Sequence, residues 1–258
     1  ISVYLLYLLL SQLLFQQGVI LNILFPFTTI IVMTIAATLV NYFLETRQKQ
    51  RIRATFARKV SGSVVDEILK HGSDEVLIGR EKEVTIFFSD VRNFTRLSEQ
   101  LASPKKLISL LNLYMNPMVD EIMKTSGTID KFIGDAIMAY WNAPQDVDGH
   151  ADKAVRSALN QLSQLHQINQ QLAQQYQLQI DIGIGINTGV TTVGEMGASG
   201  RSDYTIIGDA VNLASRLEGL NKLYGSHIII SEYTRNKLSD DYSIRELDYL
   251  RVKGKQQP

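Results

Sequence analysis

Two carboxylates stand out by their surroundings. Asp90 closes the apolar run Ile86-Phe87-Phe88-Ser89, where a charge is costly to hold unless something pairs with it. Asp135 sits in Lys131-Phe132-Ile133-Gly134-Asp135-Ala136-Ile137-Met138, at a corner beside a glycine that permits close approach. If the strand ending at Asp90 lies next to the hairpin turning at Asp135, both carboxylates reach one end of a sheet. Such a pair suits two hard divalent cations holding a triphosphate. Taken alone, Asp135 is an ordinary turn residue. Asn212 and Arg216 stand four residues apart in a helical stretch, so both can point at one ligand, although an isolated pair of this kind is usually just a polar helix face.

The elements that must position these residues follow from periodicity. Val84-Thr85-Ile86-Phe87-Phe88 is a buried-strand run. Ser103-Pro104 opens a helix in which Leu107, Leu110, Leu111 and Tyr114 keep helical spacing. Residues 127–133 and 136–141 read as two strands joined at Gly134-Asp135, a hairpin signal. A long helix is expected from about Asp148 to Tyr176, then a strand over 180–186 and a glycine-rich stretch from Gly189 to Gly200. A helix from about Asp209 to Lys222 leads to a last strand, Ile228-Ile229-Ile230. Strand, helix, hairpin, helix, strand is the ferredoxin-like order, so the expected class is α+β, an antiparallel-rich sheet with helices and C-terminal additions.

The N-terminal region is of another kind. The 26 basic and 26 acidic side chains balance, which leaves no nucleic-acid footprint in the totals, yet all of them lie after Leu44. The uncharged region divides at Gln16-Gln17-Gly18 into a short apolar piece, Val3 to Phe15, and a longer one, Val19 to Leu44. The longer piece exceeds the roughly 20 residues a helix needs to cross the hydrocarbon, and a signal peptide would carry a basic start and a single apolar run. We therefore expect transmembrane helices over 1–44, the first cut short, and, from the missing initial methionine, a piece of a longer chain. Arg47, Lys49, Arg51, Arg53, Arg58 and Lys59 follow at once, a cluster that stays on the cytoplasmic side. The expected location is the cell membrane, multi-pass, with everything downstream in the cytoplasm. Ile52, Phe56, Val60 and Val64 recur every four residues in a helical linker over 45–80, where two copies of the chain would touch, and Ser61 or Ser63 would cap a short helix ending at Gly72.

Several chemistries drop out. With no cysteine there is no disulfide scaffold, thiolate nucleophile or zinc finger. No P-loop run is present, and Gly183-Ile184-Gly185 lacks the third glycine of a dinucleotide fingerprint. His71, His150, His166 and His227 show no metal-ligand spacing.

Three separated motifs carry a resemblance. The run from Asp203 through Thr205, Asp209, Asn212 and Arg216 to Glu218 resembles the catalytic signature of class III adenylate and guanylate cyclases, as do Phe87 to Thr95 and Lys131 to Met138. The likeness extends from about Glu81 to Lys255, so that residues 81–258 form the expected catalytic domain. The upstream arrangement looks like bacterial membrane-bound adenylate cyclases with an extracellular CHASE-type sensor, which would precede this chain.

The resemblance implies a division of labour. Asp90 and Asp135, with Val91, would hold Mg²⁺ or Mn²⁺, two per site. Asn212 would position the ribose, and Arg216 would stabilise charge on the transferring phosphate. Lys131 and Thr205 would read the purine, Lys253 would contact the triphosphate, and Arg201 is a further candidate for that task. Adenine offers a ring-nitrogen acceptor and an amino donor, which an ammonium and a hydroxyl satisfy. Lysine at the first position, where cyclases making cGMP have glutamate, points to ATP, although threonine stands where animal adenylate cyclases have aspartate. The expected activity is that of an adenylate cyclase making cyclic AMP and pyrophosphate at the interface of a homodimer. The alternatives are a guanylate cyclase and a catalytically silent dimerising relay module.

Overall fold

The computed structural model describes residues 24–56, 79–101, 103–198, 201–239 and 241–249, together with Tyr7, Leu9, Gln12, Leu13, Gln16 and Gly18. Contacts divide the chain into two units, 1–56 and 57–258.

The described part of the first unit is dominated by one helix, α1 (Leu24–Phe56), which runs without a break past Leu44 into the basic cluster. Its Thr34 and Thr38 hydroxyls donate to the carbonyls of Ile30 and Thr34, both at 2.8 Å, so they are satisfied within the helix itself. The expected membrane span is not found here. Among the described residues no helix is long and apolar enough to cross a membrane. Side chains of α1 are described only from Thr28 to Leu44, short of the roughly 20 residues a crossing takes. Most of the shorter apolar piece, and the linker positions Val60, Val64, Ser61, Ser63 and Gly72, lie outside the described residues.

The second unit is built on β1 (Arg80–Val91), α2 (Phe94–Leu101), α3 (Pro104–Lys124), β2 (Thr128–Ile133), β3 (Ala136–Trp141), α4 (His150–Tyr176), β4 (Ile182–Ala198), β5 (Arg201–Ile207), α5 (Asp209–Tyr224), β6 (Ile228–Ile230) and the single turn α6 (Glu232–Arg235). The strands form one sheet in the order β2-β3-β1-β4-β5, with β6 parallel to β4. The first four strands, all paired antiparallel, give the ferredoxin-like arrangement.

Side-chain alternation along β1 builds the two faces. Phe87 and Val91 join Tyr114, Met118 and Ile122 of α3 and Ala154, Ala158 and Leu165 of α4 in one core. Val84 and Ile86 face the other way and pack with Met138, Tyr140, Val193, Tyr204, Ile206 and Ala214 of α5. Helix α3 begins where Ser103 caps it, its hydroxyl accepting from the Lys106 N–H with Pro104 in the first turn.

Two features depart from the sequence reading. The strand expected over 180–186 does not end there: β4 runs through the glycine-rich stretch to Ala198, because β1 pairs with it as far as Arg80↔Val193 and β5 from Thr192↔Ile207 to Ala198↔Arg201. Helix α2 and strand β5 form without having been expected as separate elements, the latter overlapping the signature from Asp203 to Ile207.

Candidate active site

The site begins where β1 ends. Asp90 is opposite Gly183 of β4, and its neighbour Ser89 is opposite Ile137 of β3, the second residue after the hairpin turn. That turn closes at Ile133↔Ala136, with Gly134 in the left-handed region at φ +67°, a conformation glycine adopts freely. The register therefore brings Asp135 beside Asp90. Burial pushes the Asp135 carboxyl up to about 6, reinforced by the neighbouring Asp90 carboxylate, while the N–H groups of Asp135 and Val91 act in the opposite sense. Oδ2 of Asp135 is buried and has no hydrogen-bond partner. Oδ1 of Asp90 accepts from the Val91 N–H at 3.1 Å.

This pair opens onto a cleft of about 530 Å³ whose walls include Asn93, Thr95, Arg96 and Lys222, a size in the range of small-molecule sites. Asn93 takes a left-handed φ of +54° to turn the chain into α2, whose first-turn N–H groups have no intrahelical partners. Among the described residues no cluster of three or more His, Asp or Glu is gathered for a metal ion. The donor set is thus two carboxylates, one with an orphaned buried oxygen. That fits a small hard cation, which is typically held by one or two carboxylates and completes its shell with water and phosphate oxygens.

Helix α5 crosses β4 at very close range. A Cβ built on Gly185 would lie 2.2 Å from the Glu218 nitrogen and 2.4 Å from the Ala214 carbonyl oxygen. Asn221 Nδ2 donates to the Ile184 carbonyl at 2.9 Å, and Asn187 Nδ2 donates to the Ala210 carbonyl at 2.8 Å, tying both ends of α5 to the strand. This fixes Asn212, which is exposed, and Arg216, whose Nη1 is buried without a hydrogen-bond partner. Glu218, two residues beyond Arg216, is pushed up to about 7 by burial and by the charges of Asp90 and Asp135, with Arg92 opposing.

Lys131 and Thr205 are brought together from opposite ends of the strand order. Thr205 Oγ1 of β5 donates to Asp130 Oδ2 of β2 at 2.9 Å, and Lys131 Nζ lies 3.5 Å from the same oxygen. The sheet curls until its outer strands meet. Arg201 starts β5, and its side chain lies outside the described residues, as does Lys253 altogether.

Residues 76–258 match the family described as the adenylate and guanylate cyclase catalytic domain. The chain belongs to that family. Over 210 residues the cyclase chain is 37% identical to the adenylate cyclase of Anabaena cylindrica, covering 78% of this chain and 41% of that protein. It spans less than half the length of the curated relatives it first matches. Among solved structures it is similar to the adenylyl cyclase CyaB from P. aeruginosa, with 40% identity and a TM-score of 0.65 over 70% of this chain and 93% of that one. It is also similar to the guanylyl cyclase Cya2, with 34% identity and a TM-score of 0.63 over 68% of this chain and 88% of that one.

Two residues of this cyclase domain escaped the sequence reading. Glu218 was visible only as the end of the signature run, and nothing local announces that the close crossing at Gly185 turns it toward the carboxylate pair. Asp130 precedes Lys131 like any polar strand residue, and only the register shift between Ile129 and Lys131 singles it out.

Proposed function

We propose that this chain is a membrane-anchored adenylate cyclase that converts ATP to 3′,5′-cyclic AMP and pyrophosphate at sites shared between two copies. The observation that carries the reading is the close pair Asp90 and Asp135, one oxygen of it buried and unpartnered, at the mouth of a nucleotide-sized cleft. In the reaction the ribose 3′-oxygen forms a bond to the α-phosphorus, the bond from that phosphorus to the bridging oxygen breaks with its electron pair going to the departing pyrophosphate, and the hydroxyl proton passes to water. Asp90 and Asp135, with the main chain at Val91, would hold Mg²⁺ or Mn²⁺, two per site. Bound there, the cation would lower the pKa of the 3′-hydroxyl and neutralise phosphate charge.

The chain's own residues do the rest. The first turn of α2 offers N–H groups to phosphate oxygens. Lys131 and Thr205 receive adenine, Asn212 positions the ribose, and Arg216, with a guanidinium nitrogen free of partners, meets the charge that develops on the transferring phosphate. Lys253 would contact the triphosphate, with Arg201 a further candidate for that task. In this reading the carboxylates of one copy serve ATP held by the Lys131, Thr205, Asn212 and Arg216 face of its partner, which gives a homodimer two equivalent sites.

Membrane anchoring through 1–44, a linker over 45–80 and a cytoplasmic catalytic domain over 81–258 belong to the same proposal, with a sensor domain preceding them. They are supported by α1, where the consecutive residues Ile30, Ile31, Val32 and Met33 are all exposed. At 100° per residue these apolar side chains cover most of the helix circumference, which suits lipid better than water. The basic cluster after Leu44 sets the orientation.

The deciding experiment supplies the intact chain with Mg²⁺ or Mn²⁺ and either ATP or GTP, with products resolved by chromatography. Cyclic AMP in excess over cyclic GMP is expected. The reverse preference identifies a guanylate cyclase, and no product with either nucleotide identifies a silent relay module.

A further inference from the structure

The purine pocket contains a charge that the sequence motifs do not assign. Asp130 lies at a bulge in β2: Ile129 is opposite Ala139 and Lys131 opposite Met138, so two steps on β2 match one on β3 and Asp130 is the extra residue. Its side chain is 0% exposed. Oδ2 accepts the Thr205 hydroxyl at 2.9 Å and lies 3.5 Å from Lys131 Nζ, while Oδ1 is buried with no hydrogen-bond partner. Burial raises the Asp130 pKa, against which the Thr205 hydrogen bond and the Lys131 charge both act. A buried carboxylate is expensive unless paired, and these two residues are its partners.

A threonine hydroxyl carries one proton and two lone pairs, and by itself presents either polarity to a base. Here the proton is committed to Asp130, so the pocket sees Thr205 as an acceptor only. The Lys131 ammonium is a donor only. One acceptor beside one donor matches the amino group and ring nitrogen N1 of adenine, and opposes O6 and N1–H of guanine.

Resting on the reading of this chain as an adenylate cyclase, we propose that Asp130 is a positioning residue for substrate choice: it fixes the hydrogen-bond polarity of Thr205 and the place of Lys131, and so makes the pocket select ATP over GTP. An asparagine at 130 keeps the shape but gains an N–H donor. It can donate to Thr205 Oγ1 and so release the hydroxyl proton toward O6 of guanine.

The test compares the intact wild-type chain with Asp130→Asn, Thr205→Val and the double variant, measuring kcat/KM for ATP and for GTP. The ratio of the two is read in one preparation, so a lower folded fraction cancels. Asp130→Asn is expected to lower the ATP-to-GTP ratio by roughly tenfold or more, equivalent to about 1.4 kcal/mol and in line with one mispaired buried hydrogen bond. In the Thr205→Val background the same change should leave the ratio within about twofold, because Asp130 acts through that hydroxyl. Where turnover is too low, equilibrium dialysis with the α-thiophosphate analogues of ATP and GTP reads the same ratio. A wild-type ratio retained in Asp130→Asn overturns the inference while leaving the cyclase reading intact. A wild-type chain that itself prefers GTP overturns the reading, and the inference with it.

Discussion

Replacing Gly185 by alanine tests whether the close crossing of α5 over β4 positions the catalytic face. The added Cβ would meet the Glu218 nitrogen at 2.2 Å, the Ala214 carbonyl oxygen at 2.4 Å and the Glu218 Cα at 2.8 Å. All three are main-chain atoms, so no side-chain rotation relieves the clash. Ordinary contact begins near 3.5 Å, so the two elements must separate by roughly 1 Å. β4 is held by β1 through Gly185↔Phe88 and by β6 through Gly185↔Ile229, which leaves α5 to move. Overpacking of this kind costs about 1–3 kcal/mol, and losing the Asn221 bond to the Ile184 carbonyl costs about 1 more. For a unit of this size that lowers Tm by roughly 5–15 °C. A displacement near 1 Å at Asn212 and Arg216 should lower kcat by about a hundredfold. Gly219 on the same helix is the control: it is exposed, has no atom within 4 Å of a built Cβ, and alanine there should add up to about 1 kcal/mol with activity unchanged. Thermal unfolding and initial-rate cyclisation check both variants. A Gly185→Ala protein that melts within 2 °C of wild type and keeps more than half its activity would refute the argument.

Other outcomes follow from the same geometry. Asp90→Ala and Asp135→Ala should each abolish cyclisation with the far-ultraviolet circular dichroism unchanged, and retention of more than about a tenth of wild-type activity, a loss under about 1.4 kcal/mol, would contradict their assignment as cation ligands. Glu218 and Asp135 keep their protons in the folded chain to about 7 and about 6, above their ordinary values of 4.5 and 3.8, so in that window the native state binds more protons than the unfolded one. Their contribution to stability is therefore full below about pH 4 and is lost as pH rises toward 7. In a chelator, Tm should fall less over this range in Glu218→Gln than in wild type, and identical slopes would remove Glu218 from the account. Co-expressed Asp135→Ala and Asn212→Ala chains, each inactive alone, should recover roughly a quarter of wild-type activity, since half the dimers are mixed and each mixed dimer has one intact site. Heterodimers recovered by pull-down that remain inactive would show that each chain carries its own complete site.

Local chemistry was enough for much of this fold. The turn of the hairpin was legible to the residue, because Gly134-Asp135 allows a tight turn and the flanking apolar runs must pair to bury themselves. Ser103-Pro104 marked the start of α3 and the run before Asp90 marked β1, since capping groups and apolar periodicity act over a few residues. Asp90 and Asp135 were legible as a pair once those two elements were known.

What only the tertiary structure decided depends on residues far apart in sequence. The expected strand ended at 186, and glycine is a poor strand former, yet partners on both sides, β1 and β5, hold the backbone extended through the glycines from 189 to 197. Gly185 looked like any strand glycine, and its need to be glycine comes from a helix some thirty residues later. Asp130 became a buried partner of Thr205 only because a bulge and the curl of the sheet bring together strands at opposite ends of the order. A side chain's chemical type is written locally, but its burial, its partners and the direction of its hydrogen bonds are set by the surfaces that fold against it.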